Sequence, residues 1–360
     1  MCGIVGIVGR DSVAGRLFDG LKRLEYRGYD SAGICTVTAD GFDRRRAEGK
    51  LDNLKRELEA APLGGDIGIA HTRWATHGAP TVDNAHPHIV GPVALVHNGI
   101  IENFKVLRDE LLAEGREFRS QTDSEVVAHL VAREVENGAS PQDAVATVLP
   151  RLHGAFAIAF LFRDFPDLII GARMGAPLTV GYGEGENYLG SDALAVAPWT
   201  QRISYLEEGD WAVVRRERIE IFDRDNQPVE RAIVQSGASS APVEKGNYAH
   251  YMQKEIFEQP IVVAQTLQSY VRPFEGEIAL PVAEADLESV DRLTIVAMQP
   301  SPAAAMPAAS EMRITRPPLA RTSCMLLTVF SNSGPDGAMT ITGTDSSISA
   351  IGPCFISPAA

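Results

Sequence analysis

A cysteine stands at position 2, directly behind the initiator methionine and ahead of the small apolar run Gly3-Ile4-Val5-Gly6. If Met1 is removed, one residue carries both a thiol and an α-amine. That amine has a reference pKa of about 7.7–8.0 and can accept a proton near neutral pH. A nucleophile activated by its own N-terminal amine is an established route to covalent catalysis. The competing reading of Cys2 is a small hydrophobe opening a buried strand, the usual fate of a free cysteine.

Three further segments could serve such a nucleophile. Residues His71-Thr72-Arg73-Trp74-Ala75-Thr76-His77-Gly78 gather two imidazoles, a guanidinium, an indole and two hydroxyls. An arginine there could clamp a substrate carboxylate with two parallel hydrogen bonds. His97-Asn98-Gly99 sets an amide beside a glycine N–H, the donor pair needed when charge develops on a carbonyl oxygen during acyl transfer. Asn-Gly is equally a tight-turn dipeptide. Asp123 follows Thr122, and in a first helical turn its carboxylate complements the helix dipole or offers a counter-charge to an ammonium group. Five of the eight histidines lie between His71 and His97. With no HExxH motif and no acidic ligand at helical spacing, no metal is expected from them.

The elements that must position these groups follow from periodicity and punctuation. Residues 3–8 predict a buried strand. Ser12 predicts the cap of a helix carrying Val13, Leu17, Leu21 and Leu24 on one face. Strands are expected at 34–38, 67–70 and 93–96, and a charged helix at 51–60. Phe104, Leu107 and Leu111 space a helix that Gly115 terminates, and Thr122 with Glu125 predicts a capping box for the next. From Ala155 to Asp223 the runs 155–162, 168–172, 187–190, 211–215 and 218–222 predict strands. Helices and strands come in blocks, which points to an α+β fold of packed antiparallel sheets with helices outside.

The chain has 360 residues, 45% hydrophobic and 22% charged, enough for two domains and a substantial core. Its net charge of −14 argues against a general nucleic-acid binder. No apolar run approaches the roughly 18 residues of a membrane span, and the N-terminus lacks a secretory signal pattern. Four scattered cysteines (Cys2, Cys35, Cys324, Cys354) form neither a disulfide framework nor a zinc pattern, and a reducing, cytoplasmic setting is expected. Residues 236–246 (SGASSAPVEKG) read as a linker, with a helix expected from about Tyr248. After residue 297 only three acidic and three basic groups remain among Pro, Ala, Ser, Thr and Gly. That composition predicts a mostly disordered tail over 298–360.

Taken together, MCGIVG (1–6), RLEYRGYDSAG (23–33), HTRWATHG (71–78), NAHPH (84–88), HNGIIEN (97–103), TDSEV (122–126) and HYMQKEIFEQP (250–260) resemble one family. It is that of glutamine-dependent amidotransferases of the N-terminal nucleophile class, and within it the glutamine–fructose-6-phosphate aminotransferases. The related phosphoribosyl-pyrophosphate amidotransferases share the MCG start but would carry a different loop in place of HTRWATHG.

The resemblance implies an αββα sandwich as a glutaminase domain over 2–235, a linker at 236–247 and the incomplete start of a sugar isomerase domain over 248–297. It implies that Cys2 attacks the glutamine amide and that Asn98 and Gly99 hold the oxyanion. Arg73 would bind the substrate carboxylate and Asp123 its ammonium group. Trp74, Thr76 and His77 would lie in the same loop, with Arg27, Tyr29 and His86 as its supports. No cofactor is implied. The partners implied are glutamine and, in the family, fructose 6-phosphate, with family members homodimeric.

After Ala297 the family would continue with a Cys-Gly-Thr-Ser phosphate loop, where this chain has Met298-Gln299-Pro300-Ser301. A truncation or a shifted reading frame near residue 298 would produce such a break. Three functions stay open: a glutaminase without its sugar half, a complete divergent aminotransferase, and a non-catalytic protein on the same fold.

Overall fold

The structure, a computed structural model, describes residues 2–237, Tyr248, 253–254, 256–259 and six strand segments between 271 and 342. It divides into two compact units, 1–257 and 258–360. Most of the linker expected at 236–247 lies outside the described residues.

In the first unit the strands are β1 (Gly3–Val8), β2 (Ser31–Thr38), β3 (Gly41–Glu48), β4 (Ile67–Arg73), β5 (His88–Val90), β6 (Val93–Ile101), β7 (Gly154–Phe162) and β8 (Ile169–Met174). They continue as β9 (Thr179–Tyr182), β10 (Asn187–Gly190), β11 (Arg202–Tyr205), β12 (Trp211–Val214), β13 (Ile219–Phe222), β14 (Pro228–Val229) and β15 (Val234–Gln235). The helices are α1 (Ala14–Arg23), α2 (Leu51–Ala60), α3 (Phe104–Ala113), α4 (Ser124–Glu136), α5 (Pro141–Val148) and α6 (Ala193–Val196). One sheet has the order β15-β11-β9-β10-β1-β4-β2-β3 and the other β14-β13-β12-β8-β7-β6-β5.

Side-chain alternation along each strand builds the layers, because successive residues face opposite sides. On β1, Val5 and Ile7 join Leu17 and Leu21 of α1 and Leu51 and Leu54 of α2 in one outer core. Ile4 and Val8 point the other way, into the space between the sheets. On β7, Phe156, Ile158, Phe160 and Phe162 face the layer of α3, α4 and α5. Ala157, Ala159 and Leu161 face inward. Three cores in four layers make the αββα sandwich expected.

Local signals misplaced two helix starts. α1 begins at Ala14 with no side-chain cap, and Val13 donates its N–H to Gly65 O at 3.1 Å instead. Thr122 and Glu125 do not form a capping box, since Asp123 is the N-cap of α4 and makes no side-chain cap bond. Glu125 turns further back, where Arg119 N, Ser120 N and Ser120 Oγ donate to it at 2.9, 2.7 and 2.7 Å. Three donors outweigh the single N–H that a box would supply.

In the second unit β16 (Val271–Arg272) pairs antiparallel with β17 (Glu277–Ile278). A second sheet there, all antiparallel, runs β18 (Arg292–Ala297), β19 (Ala308–Thr315), β20 (Leu326–Phe330), β21 (Ala338–Thr342). Three of these strands fall inside the stretch whose composition predicts disorder, and the residues between them lie outside those described.

Leu161 is fully buried between the two sheets of the first unit. Leu161→Ala is expected to lower its stability by about 2–5 kcal/mol, read as a shift in denaturation midpoint. A change below about 1 kcal/mol would contradict a close-packed sandwich.

Candidate active site

The inward face that is apolar along most of each strand turns polar at one end of the sandwich. On β4, Ile67 and Ile69 face inward, and the same side continues as His71 and Arg73. On β6, Ala94 and Val96 face inward, and the next position on that side is Asn98. On β1 the inward set Ile4 and Val8 extends back to Cys2. Gly3 pairs with Thr72, which sets Cys2 at the mouth of the Arg73–Trp74 turn. The Trp74 backbone N–H donates to Cys2 Sγ at 3.2 Å, and Sγ–H donates to Trp74 O at 3.6 Å. Burial pushes the Cys2 thiol up from its ordinary value, opposed by the Trp74 N–H and nearby positive charge. A thiol at neutral pH therefore needs a base to become a nucleophile.

Arg73 is buried and braces the loop that follows it. Its Nη2 donates to His77 O and, at 3.2 Å, to Gly78 O, while Nη1 donates to Ala79 O at 3.3 Å. Asp30 holds the other side of the loop. Its N–H donates to Arg73 O at 2.8 Å, and its Oδ2 accepts from Ala75 N at 2.5 Å. Gly28, at φ 73, lies under the Trp74 ring, where a Cβ would come within 2.8 Å of the indole. Trp74 is 51% exposed.

Asn98 and Gly99 lie where β6 passes β7. Gly99 has φ 118, and a Cβ there would meet Ala155 O at 2.0 Å, so only glycine fits. The Asn98 amide donates from Nδ2 to Cys2 O at 3.4 Å and accepts at Oδ1 from His71 Nε2 at 3.0 Å. Asp123 is buried at the start of α4, where its Oδ2 accepts from Ile101 N at 2.8 Å. Ser124 Oγ lies 2.8 Å from His97 Nδ1.

The histidines form a buried polar layer. His71 Nδ1 and His86 Nδ1 are 3.0 Å apart, and His88 Nε2 meets Thr122 Oγ1 at 3.0 Å. Burial pushes His71 and His88 down to about 3 and also lowers His86 and His97. All four are neutral at pH 7. Among the described residues no His, Cys, Asp and Glu side chains gather as a metal site.

One small pocket collects Cys2, Arg73, Trp74, Thr76, His77, His86, His97, Gly99 and Asp123. Asn98 adjoins it through Cys2. Two expected supports are placed differently. The Tyr29 hydroxyl donates to Glu25 at 2.9 Å and accepts from Leu51 N at 2.8 Å, fastening α2 rather than the loop. His86 bonds to His71 rather than to the loop. The side chain of Arg27 lies outside the described residues. Sequence reasoning gave no individual role to Asp30, His71, Asn84 or Ser124. Asn84 bonds to Ala79 O at 2.9 Å and Gln121 N at 2.8 Å. Their membership of the quoted motifs was the only available signal.

Residues 74–197 match the family model of the glutamine amidotransferase domain. Two solved structures share the architecture. Glutamine phosphoribosylpyrophosphate amidotransferase from B. subtilis gives a TM-score of 0.56 at 25% identity, over 63% of this chain and 50% of that one. The allosteric regulatory enzyme of purine biosynthesis gives 0.55 at 26%, over 62% and 49%. Fold and domain match thus define a class II glutamine amidotransferase domain. More specifically, the glutamine–fructose-6-phosphate aminotransferase of Zymomonas mobilis is 67% identical over 297 residues, 82% of this chain and 49% of that protein. That of Brucella abortus is 59% identical over the same shares. Over this stretch the chain belongs to the glutamine–fructose-6-phosphate aminotransferase family. It spans about half the length of the curated relatives it matches, and the match is as long as the stretch before the compositional break at 298.

Neutral buried imidazoles leave the folded chain binding fewer protons than the unfolded chain below pH 6.5. Stability should therefore fall as pH drops from about 6.5 toward about 3, by up to about 1.4 kcal/mol per pH unit for each such group. Denaturation midpoints between pH 7 and 5 check this, and a flat profile would contradict neutral burial.

Proposed function

We propose that this chain hydrolyses the side-chain amide of glutamine to glutamate and ammonia through a thioester on Cys2. The observation that carries it is the convergence of the Cys2 thiol, the Asn98 amide and the Gly99 peptide beside Arg73 and Asp123. With Met1 removed, the α-amine takes the thiol proton as Sγ attacks the amide carbon. Asn98 Nδ2 and Gly99 N–H stabilise the oxyanion. The protonated amine returns its proton to the departing nitrogen, ammonia leaves, and water cleaves the thioester. Asp123 pairs with the substrate ammonium group, and N–H groups of Arg73 not spent on the loop take its carboxylate. No cofactor or metal enters any step.

The curated relatives are named for amination of fructose 6-phosphate with isomerisation. For the present 360 residues, which span about half the length of those relatives, we propose the glutaminase half-reaction, in amino-sugar supply. A cytoplasmic setting suits a thiol nucleophile, and among the described residues no helix is long and apolar enough to cross a membrane.

Given glutamine and fructose 6-phosphate, the purified chain is expected to form glutamate without glucosamine 6-phosphate, and Cys2→Ala is expected to abolish glutamate formation. Glutamate from Cys2→Ala would refute the nucleophile assignment, and the amino sugar from the unaltered chain would refute the half-reaction. Asp123→Asn keeps an oxygen for Ile101 N but loses the charge. It should raise KM for glutamine about 10–100-fold, the worth of a charge-assisted hydrogen bond. An unchanged KM would remove Asp123 from substrate binding.

A further inference from the structure

Asn98 can serve an oxyanion only if its NH2, not its carbonyl oxygen, faces the reacting amide. Amide oxygen and nitrogen are nearly the same size, so packing alone does not choose between them. Hydrogen bonding does. Asn98 Oδ1 is 3.0 Å from His71 Nε2, and a carbonyl oxygen only accepts, so His71 carries its proton on Nε2. A neutral imidazole then leaves Nδ1 as a lone pair, and His86 Nδ1, 3.0 Å away, must donate to it. That places the His86 lone pair on Nε2, a buried atom with no partner among the described residues. In the reverse direction the amide is turned over, and His86 is left with a buried N–H that has no acceptor. Orphaned buried N–H groups are rarer than under-used acceptors, and each costs the full desolvation of the donor. The dead end at His86 and, at the other end, the Cys2 carbonyl that accepts from Asn98 Nδ2 at 3.4 Å therefore set the direction of the whole chain.

We propose that His71 is a positioning residue, and that the one-way hydrogen-bond chain from His86 through His71 holds the Asn98 NH2 toward the oxyanion. The proposal rests on the glutaminase reading for its consequence, though its geometry does not. His86 is itself fixed from two sides. Arg46 Nη1 donates to Ala85 O at 2.8 Å and Arg44 Nη1 to Pro87 O at 2.9 Å. Gly33 lies so close to His86 O that a Cβ would come within 2.2 Å. The His86 ring packs edge-on to His71 at 4.3 Å and to His88 at 4.6 Å between centroids. Burial keeps both His71 and His86 neutral, the state in which one nitrogen of each can accept.

The test is run on the full chain with glutamine as substrate and iodoacetamide as a probe of Cys2. Displacement of iodide by the thiol needs no oxyanion, so it reports the nucleophile alone. His71→Leu is expected to lower kcat about tenfold or more, below the roughly 10²–10³-fold loss on deleting an oxyanion donor. KM for glutamine and the alkylation rate should stay within about threefold, inside the error of context effects. His71→Gln, whose amide N–H can replace Nε2–H, should recover most of the activity. In an Asn98→Ala background His71→Leu should cost nothing further. A wild-type kcat in His71→Leu, or alkylation falling in step with turnover, would overturn the proposal. Nitrogen-15 shifts of labelled imidazoles test it independently of activity. Protonation on His71 Nε2 and His86 Nδ1 is expected, and the opposite pair overturns it even where glutamine is hydrolysed. A chain with the expected tautomers that hydrolyses no glutamine would instead defeat the glutaminase reading alone.

Discussion

The site depends on one register. β1 pairs with β4 so that Gly3 lies opposite Thr72, and the alternation of side chains then does the rest. Cys2 faces the interior on β1 as His71 and Arg73 do on β4. A slip of one residue would send Cys2 to the helix side, where Leu24 already lies within 2.6 Å of a Cβ built on Gly3. Register is strongly specified wherever a strand has a buried face, and every residue of β1 is buried. The hydrophobic core of β1 therefore aims the Cys2 thiol.

Polar groups at the end of a closed sandwich must satisfy one another, because water is largely excluded and a buried donor without an acceptor costs about 1–3 kcal/mol. The result is a set of short chains. Trp74 N–H meets Cys2 Sγ, Ile101 N meets Asp123, and Ser120 Oγ joins Glu125 to Thr122 and thence to His88. Such networks specify a single arrangement when complete. The imidazoles stay uncharged because the desolvation of a buried charged ring outweighs the pull of the nearby carboxylates, Glu125 on His88 and Asp123 on His97.

Much of this was legible in the sequence. Residues 51–60 and 187–190 read as elements and fold as such, because their periodicity and punctuation agree. Cys2 and the Asn-Gly pair stood out by residue type. β3 did not. Gly41–Glu48 carries Arg44, Arg45 and Arg46 in a row, a run with no alternation of apolar and polar residues to mark a strand. Yet Arg44 and Arg46, two apart, point to one side and bond the backbone of 85–87. The capping box at 122–125 failed for a related reason, since Glu125 found more donors in Arg119 and Ser120 than at the helix start. Local rules lose where a tertiary partner offers more hydrogen bonds.

In the proposed reaction Arg73 serves both scaffold and substrate. A guanidinium has five N–H donors, and three bonds to His77, Gly78 and Ala79 draw on its two terminal nitrogens. Those carbonyls fix the plane of the group before any ligand arrives, and a clamp already held in place loses less freedom on binding. A lysine could not divide itself this way, having one nitrogen and no plane. The loop is tied in turn by Asp30 through Ala75 N, so the groups proposed to meet glutamine rest on strand ends and on a loop pinned at both flanks. Precision of about half an ångström, which such chemistry needs, then comes from β4 and its neighbours, and the loop contributes side chains to a frame that the strands have already set.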